Sequence, residues 1–217
     1  MENTIKGIHH ITAIAGNAKK NYDFYTRILG LRLVKKTVNF DDPNTYHLYY
    51  GDGQGTPGSI LTFFPWGEIA AGRRGARQAT AIGYSVPENS FDFWQERFEA
   101  NGIIYQKAAE KFGEPYLTVF DPDGLKLELI ASKTTDTRIP WETEEVTAVN
   151  ATKGFHNITI TCNQAQPTAE ILTGIFGYRL FAQRGNDYRF ITDAVDHAAI
   201  VDLNVLADGK PGHGSGG

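Results

Sequence analysis

The sequence has 217 residues, 41% of them hydrophobic, enough to bury a real core in one large domain or two modest ones. Its 21 Lys and Arg against 25 Asp and Glu give a formal charge of −4, with basic residues dispersed except at Arg73, Arg74 and Arg77, which argues against a nucleic-acid partner. The single cysteine, Cys162, excludes an intramolecular disulfide and a thiolate-rich zinc site, and no apolar run approaches membrane-spanning length; both suit a cytoplasmic protein with no membrane partner.

In chain order, the period-2 run from Ile8 to Ala15 predicts a strand that contains His9, His10 and Thr12. Asn17 is placed to cap a helix whose apolar face is Tyr22, Tyr25 and Leu29, and Gly30 supplies its left-handed stop. Strands follow over Arg32 to Phe40, Thr45 to Tyr50 and Ser59 to Phe64. The stretch GDGQGTPG between the last two is turn chemistry, not a phosphate cradle, because no helix follows it.

A second unit repeats this order. Ala79 to Val86 is a strand, and Asn89 or Ser90 caps a helix that turns Phe91, Trp94 and Phe98 inward and ends at Gly102. Strands over Ile103 to Lys107, Tyr116 to Phe120 and Leu125 to Ile130 follow, with the turn Asp121-Pro122-Asp123-Gly124 before the last. A third unit starts at Phe155, with a helix begun by Pro167 and closed by Gly177, then strands over Arg179 to Arg184, Asp187 to Thr192 and Ala198 to Leu203.

The third unit also repeats the first in residues. GIHHIT at 7–12 matches GFHNIT at 154–159, and ILGLRLV at 28–34 matches IFGYRLF at 175–181 at the same offset. The expected fold class is therefore α+β, built from three βαβββ modules at 7–66, 78–132 and 154–205. A linker over 133–153 separates the last two, and a Gly-rich tail covers 206–217.

This organisation, with GIHHIT opening the first module and FDPDGLKLEL closing the second, resembles the vicinal oxygen chelate superfamily of glyoxalases, bleomycin-resistance proteins and extradiol dioxygenases. The N-terminal run from HHITAIAGNAKKNYDFY to ILTFFPW is similar to its branch of ring-cleaving dioxygenases that act on hydroquinone-type rings. The resemblance implies modules that pair into incomplete barrels around one divalent metal, with ligands on first and last strands. Members of that branch continue into a fourth module carrying another His-His strand, so the expectation is a chain that lacks this module, its tail leading toward it.

By the same resemblance His10 is a metal ligand, while His9 and Thr12 lie near the substrate as catalytic residues. Alternation on a strand makes the two histidines inequivalent. Glu128 matches the superfamily's last-strand carboxylate; as a ligand it requires the first and second modules to pair, and as an ordinary residue it sits on an alternating strand. Asn157, with His156 beside it, occupies the place of His10 in the third module, and Ala81 occupies it in the second.

Of the remaining histidines, His47, on a strand beside two tyrosines, reads first as packed or surface and second as pocket-lining, while His197 and His213 have no partner suggested by spacing. Arg73, Arg74 and Arg77 read as a solvated link. Tyr46, Tyr49, Tyr50, Phe63 and Phe64 read mostly as core, with any on the concave face free to stack on an aromatic ligand.

The implied function is a non-haem Fe(II) ring-cleaving dioxygenase, with Mn(II) as the other metal. It would take a hydroquinone- or catechol-like substrate and O2, and as a fragment would be inactive or weak alone. Rival readings are a glyoxalase-type lyase or isomerase and a metal-free drug-binding protein. An uncovered barrel edge predicts a homodimer.

Overall fold

The computed structural model describes residues 5–68, 70–132 and 136–214; the first residues of the expected linker and the end of the expected tail fall outside them. Within these residues the elements run β1 His10–Ala15, α1 Ala18–Asp23, β2 Arg32–Val38, β3 Tyr46–Gly51, β4 Ile60–Pro65, then β5 Gln78–Val86, α2 Phe91–Ala100, β6 Tyr105–Lys111, β7 Glu114–Phe120, β8 Lys126–Ala131. The last set is β9 Phe155–Cys162, α3 Gln166–Gly174, β10 Arg179–Arg184, β11 Asp187–Ile191 and β12 Ile200–Val205. Each of the three sets is a strand, a helix and three strands.

The Asn17 side chain accepts from the backbone N–H of Lys19 and Lys20, as its cap position predicts. The first helix then widens into a π-helical turn over Phe24–Ile28, in which Leu29 N–H reaches the carbonyl of Phe24 at 3.0 Å. That turn lets consecutive Phe24 and Tyr25 both point inward, at 2% and 0% exposure. Ser90 stands at the start of α2, but its hydroxyl donates to Pro87 O rather than capping a helical N–H.

Two sheets result. One has the order β1-β4-β3-β2; the other has eight strands, β10-β11-β12-β9-β5-β8-β7-β6. The second and third sets therefore fuse, through antiparallel β5 and β9, whereas the first keeps a sheet of its own. The first and second sets meet instead through apolar packing. One core cluster gathers Phe24, Tyr25, Leu29, Tyr50 and Phe63 with Tyr84, Trp94, Phe98, Leu117 and Leu127, while the third set has a small cluster around Leu172, Phe190 and Leu203.

Arg73, Arg74 and Arg77 are exposed in the link between β4 and β5, and that link is also tied to the tail by bridges Arg73 to His213 and Ala76 to Pro211, while Arg77 donates to Asn163.

The β5–β9 seam depends on one glycine. A Cβ on Gly83 would lie 1.9 Å from Asn157 Oδ1 and 2.7 Å from Ile130 Cδ1. Asn157 cannot swing away cheaply, because its amide donates to Asp202 at 2.6 Å in full burial. Gly83→Ala is expected to cost about 1–3 kcal/mol, as overpacking does. Urea denaturation reads it, and an unchanged midpoint would show that the seam yields.

Candidate functional site

The strand β1 begins at His10, so His9 precedes the regular pleat and alternation does not separate the two imidazoles. Their Nδ1 atoms are 3.1 Å apart and their rings nearly perpendicular, at 87°. One ring donates to the other, so the accepting ring carries its hydrogen on Nε2 and only the donating ring keeps a free Nε2 lone pair; both side chains are exposed. Two residues on, Thr12 shares the face of His10.

Helix α1 covers the other face of this sheet, where Leu48, Tyr50, Leu61 and Phe63 are buried. The open face carries His10, Thr12, Thr62, Phe64, His47 and Tyr49. His47 lies between two rings, 4.1 Å from Tyr49 and 4.0 Å from Phe64. Both of its nitrogens are engaged: Nδ1 at 2.9 Å from Tyr49 Oη and Nε2 at 3.0 Å from Thr62 Oγ1. Thr62 in turn donates to Thr12 Oγ1 at 2.9 Å. Burial, then the charges of Lys35 and His10, push the His47 imidazole below its ordinary pKa, so the ring is neutral at pH 7.

His47, which reads in the sequence first as a packed or surface residue, is thus tied to the candidate site. The available signal was its spacing from Tyr49, which puts both on one face of β3.

Glu128 is placed elsewhere. It lies in the eight-stranded sheet, 2% exposed, with Oε1 at 2.6 Å from Lys126 Nζ and Oε2 at 3.3 Å from Lys111 Nζ. Burial opposes its charge, but the two ammonium groups overcome it and hold the carboxyl below the ordinary range. Lys111 also reaches Asp202 at 3.2 Å, and Arg189 binds Asp202 through Nε at 2.8 Å and contacts Glu114. His156 Nε2 lies 3.2 Å from Glu114, whose carboxyl is lowered to about 2: burial opposes ionisation, and His156 and Arg189 outweigh it.

Lys111, Lys126 and Glu128 of this network line a concavity of about 410 Å³ together with Thr80, Tyr116 and Thr159. Its cation positions are filled by Lys and Arg. The structure thus does not bring Glu128 to His10, since the module that carries it pairs with the third module and not with the first. Among the described residues no group of three His, Cys, Asp or Glu is disposed to hold a metal. The residues present fit one wall of a metal site: a single imidazole with a clear Nε2 beside an aromatic face.

Comparison with known proteins fits this architecture. Residues 7–129 match the Glyoxalase/Bleomycin resistance protein/Dioxygenase superfamily. The chain belongs to that superfamily. Among curated relatives, "Putative ring-cleaving dioxygenase MhqO" of Bacillus subtilis (strain 168) is 42% identical over 97% of this chain and 66% of its own length. "Chlorohydroquinone/hydroquinone 1,2-dioxygenase" of Sphingobium indicum is 32% identical over 96% of this chain and 66% of its own. The chain thus spans about two thirds of the length of these relatives.

A crystal structure of a "putative dioxygenase" from Bacillus subtilis superposes with a TM-score of 0.89 at 41% identity, over 97% of this chain and 68% of that one. Glyoxalase I from Zea mays shares the fold, at a TM-score of 0.71 and 14% identity over 96% of this chain and 72% of that one. No helix among the described residues is long and apolar enough to cross a membrane.

Proposed function

We propose that this chain forms one wall of the centre of a ring-cleaving dioxygenase that takes a hydroquinone- or catechol-like substrate and O2. One observation carries the reading: the exposed His9–His10 pair lies beside the aromatic face of His47, Tyr49 and Phe64, in a sheet whose strands, among the described residues, pair with no strand of another module. The names of the curated relatives support the chemistry.

In this reading His10 binds the metal through Nε2, with Fe(II) as the ion and Mn(II) as the alternative. Bound there, the ion would lower the pKa of a substrate hydroxyl as a Lewis acid and supply electron density for O2. His9, whose Nδ1 then accepts from His10 Nδ1, carries its hydrogen on Nε2 and offers it to the substrate oxygen as a hydrogen-bond donor or general acid. Thr12 donates to the substrate oxygen, and Phe64, Tyr49 and His47 exclude water from one side of the ring.

The remaining ligands come from another module docked along the outer edge of β1. The seam between β5 and β9 supplies the template, because there two first strands pair antiparallel and join two four-stranded sheets. A fourth module satisfies this geometry, with the three observed sets as the first three modules; a second copy of the chain satisfies it as a homodimer. The lone cysteine suits the cytoplasm.

Metal retention tests the reading. After anaerobic Fe(II) loading and desalting, iron that wild type retains and His10→Ala loses is expected where the second wall is supplied, as in a homodimer, with oxygen uptake on adding hydroquinone; the chain alone is expected to give weak or no uptake. Equal iron in the variant would sink His10 as a ligand. Turnover of a hemithioacetal without O2 would favour lyase chemistry instead.

A further inference from the structure

The open face of the first sheet holds a linear hydrogen-bonded chain whose polarity is set by its members. Tyr49 Oη, His47, Thr62 Oγ1 and Thr12 Oγ1 follow one another at 2.9, 3.0 and 2.9 Å. A neutral imidazole has one donor nitrogen and one acceptor nitrogen. Thr62 Oγ1 donates to Thr12 Oγ1, so Nε2 must supply the hydrogen of the His47–Thr62 bond, and Nδ1 accepts from the tyrosine hydroxyl. The Thr62 hydroxyl, with no exposed surface, then spends its own hydrogen on Thr12. Thr12 is left with one hydroxyl hydrogen, turned away from Thr62 over the exposed face it shares with His10.

Register explains why the groups meet. Tyr49 is opposite Thr62 across β3 and β4, and Thr62 is opposite Thr12 across β4 and β1. His47 leans over Tyr49 from the next position on its face, and Phe64 covers its other side. In the third module the register partner of Thr159, the counterpart of Thr12, is Asp202, a charged group bonded to Arg189, so that position carries no such chain.

We propose that Tyr49, His47 and Thr62 are positioning residues that fix the Thr12 hydroxyl as a one-way hydrogen-bond donor to an anionic oxygen of the aromatic substrate. The proposal rests on the dioxygenase reading and adds its substrate preference. Aligned donors polarise one another, so the last hydroxyl is a stronger donor than an isolated threonine. It favours a phenolate oxygen and disfavours an aryl methyl ether, which accepts poorly and adds a methyl group where the hydroxyl points.

Two measurements test it. In the 15N-labelled, metal-free protein, long-range 1H–15N NMR is expected to show His47 as the Nε2–H tautomer. An Nδ1–H tautomer or an imidazolium reverses or breaks the chain and overturns the proposal. In the Fe(II)-loaded protein, Thr62→Val, nearly isosteric, is expected to keep its iron and lose about ten-fold in kcat/KM for hydroquinone, consistent with one weakened hydrogen bond to a charged oxygen. Thr62→Ser should restore the rate, and Tyr49→Phe should show a smaller loss.

Wild-type turnover with an unchanged Thr62→Val rate refutes the positioning role alone. Without turnover, as a single wall lacking its partner gives, hydroquinone affinity takes the place of the rate: a Thr62→Val affinity equal to wild type overturns the proposal, and wild-type protein that binds no hydroquinone overturns the dioxygenase reading with it.

Discussion

Replacing Lys111 by Met is expected to cost about 3 kcal/mol, toward the low end for breaking a buried ion pair. The ammonium lies between Glu128 Oε2 at 3.3 Å, Asp202 Oδ2 at 3.2 Å and Thr159 Oγ1 at 3.2 Å, so its three donors are all used. Methionine fills the volume of the stem and leaves two carboxylates facing a half-emptied centre. The loss stays near the low end because Lys126 still holds Glu128 and Arg189 still holds Asp202.

The pH dependence has a definite sign. The Glu128 pKa is depressed in the folded chain, so its contribution is present above the unfolded carboxyl pKa and fades as pH falls through the folded value. Wild type and variant should therefore differ most at neutral pH and converge below about pH 4. Adding Glu128→Gln to the variant should recover part of the loss. Urea midpoints across pH measure both effects; a difference that does not depend on pH would mean that Lys111 acts through packing alone.

Trp94→Ala carries the other large effect, about 3–5 kcal/mol. The indole is fully buried, 5.7 Å from the Phe98 ring, and its Nε1 donates to Asn150 O at 3.1 Å. Truncation thus opens a cavity in the core shared by the first two modules and strands a carbonyl of the segment that leads to the third. Loss of under about 1 kcal/mol in chemical denaturation would show that the neighbours collapse into the space.

Much of this architecture is legible in the sequence because local rules and tertiary packing agree there. Asn17 caps where its side chain predicts, and Gly30 and Gly177 adopt the positive φ of helix stops. Ser90 departs from the rule because its hydroxyl finds the nearby Pro87 carbonyl. Within the site, His10 and Thr12 share a face by simple alternation, whereas His47 was harder to assign: period 2 joins it to Tyr49, but which side of the sheet stays open depends on where α1 lies.

The partners of Glu128 were beyond local pattern. Lys111 reaches Glu128 from β6 of the same module, but Asp202 joins them through Lys111 only because the second and third modules share a sheet, a choice permitted by the absence of a Cβ at Gly83 where Asn157 crosses. Nothing in the spacing of LKLELI distinguishes a metal ligand from a carboxylate with two lysine neighbours.

The second module is bound to its two neighbours by different forces. Toward the third it offers a ladder of backbone hydrogen bonds, which is geometrically exacting and tolerant of side-chain change; toward the first it offers mainly apolar volume, pinned at a few points such as Tyr25 to Asp121 and Arg97 to Ile28 O. Changes in bulk at that interface therefore reach the first module's orientation only within the play left by backbone bonds such as Phe155 N–H to Gly58 O and Ile8 N–H to Ala198 O. The half of the molecule that carries His10 is the half whose angle evolution is freer to tune.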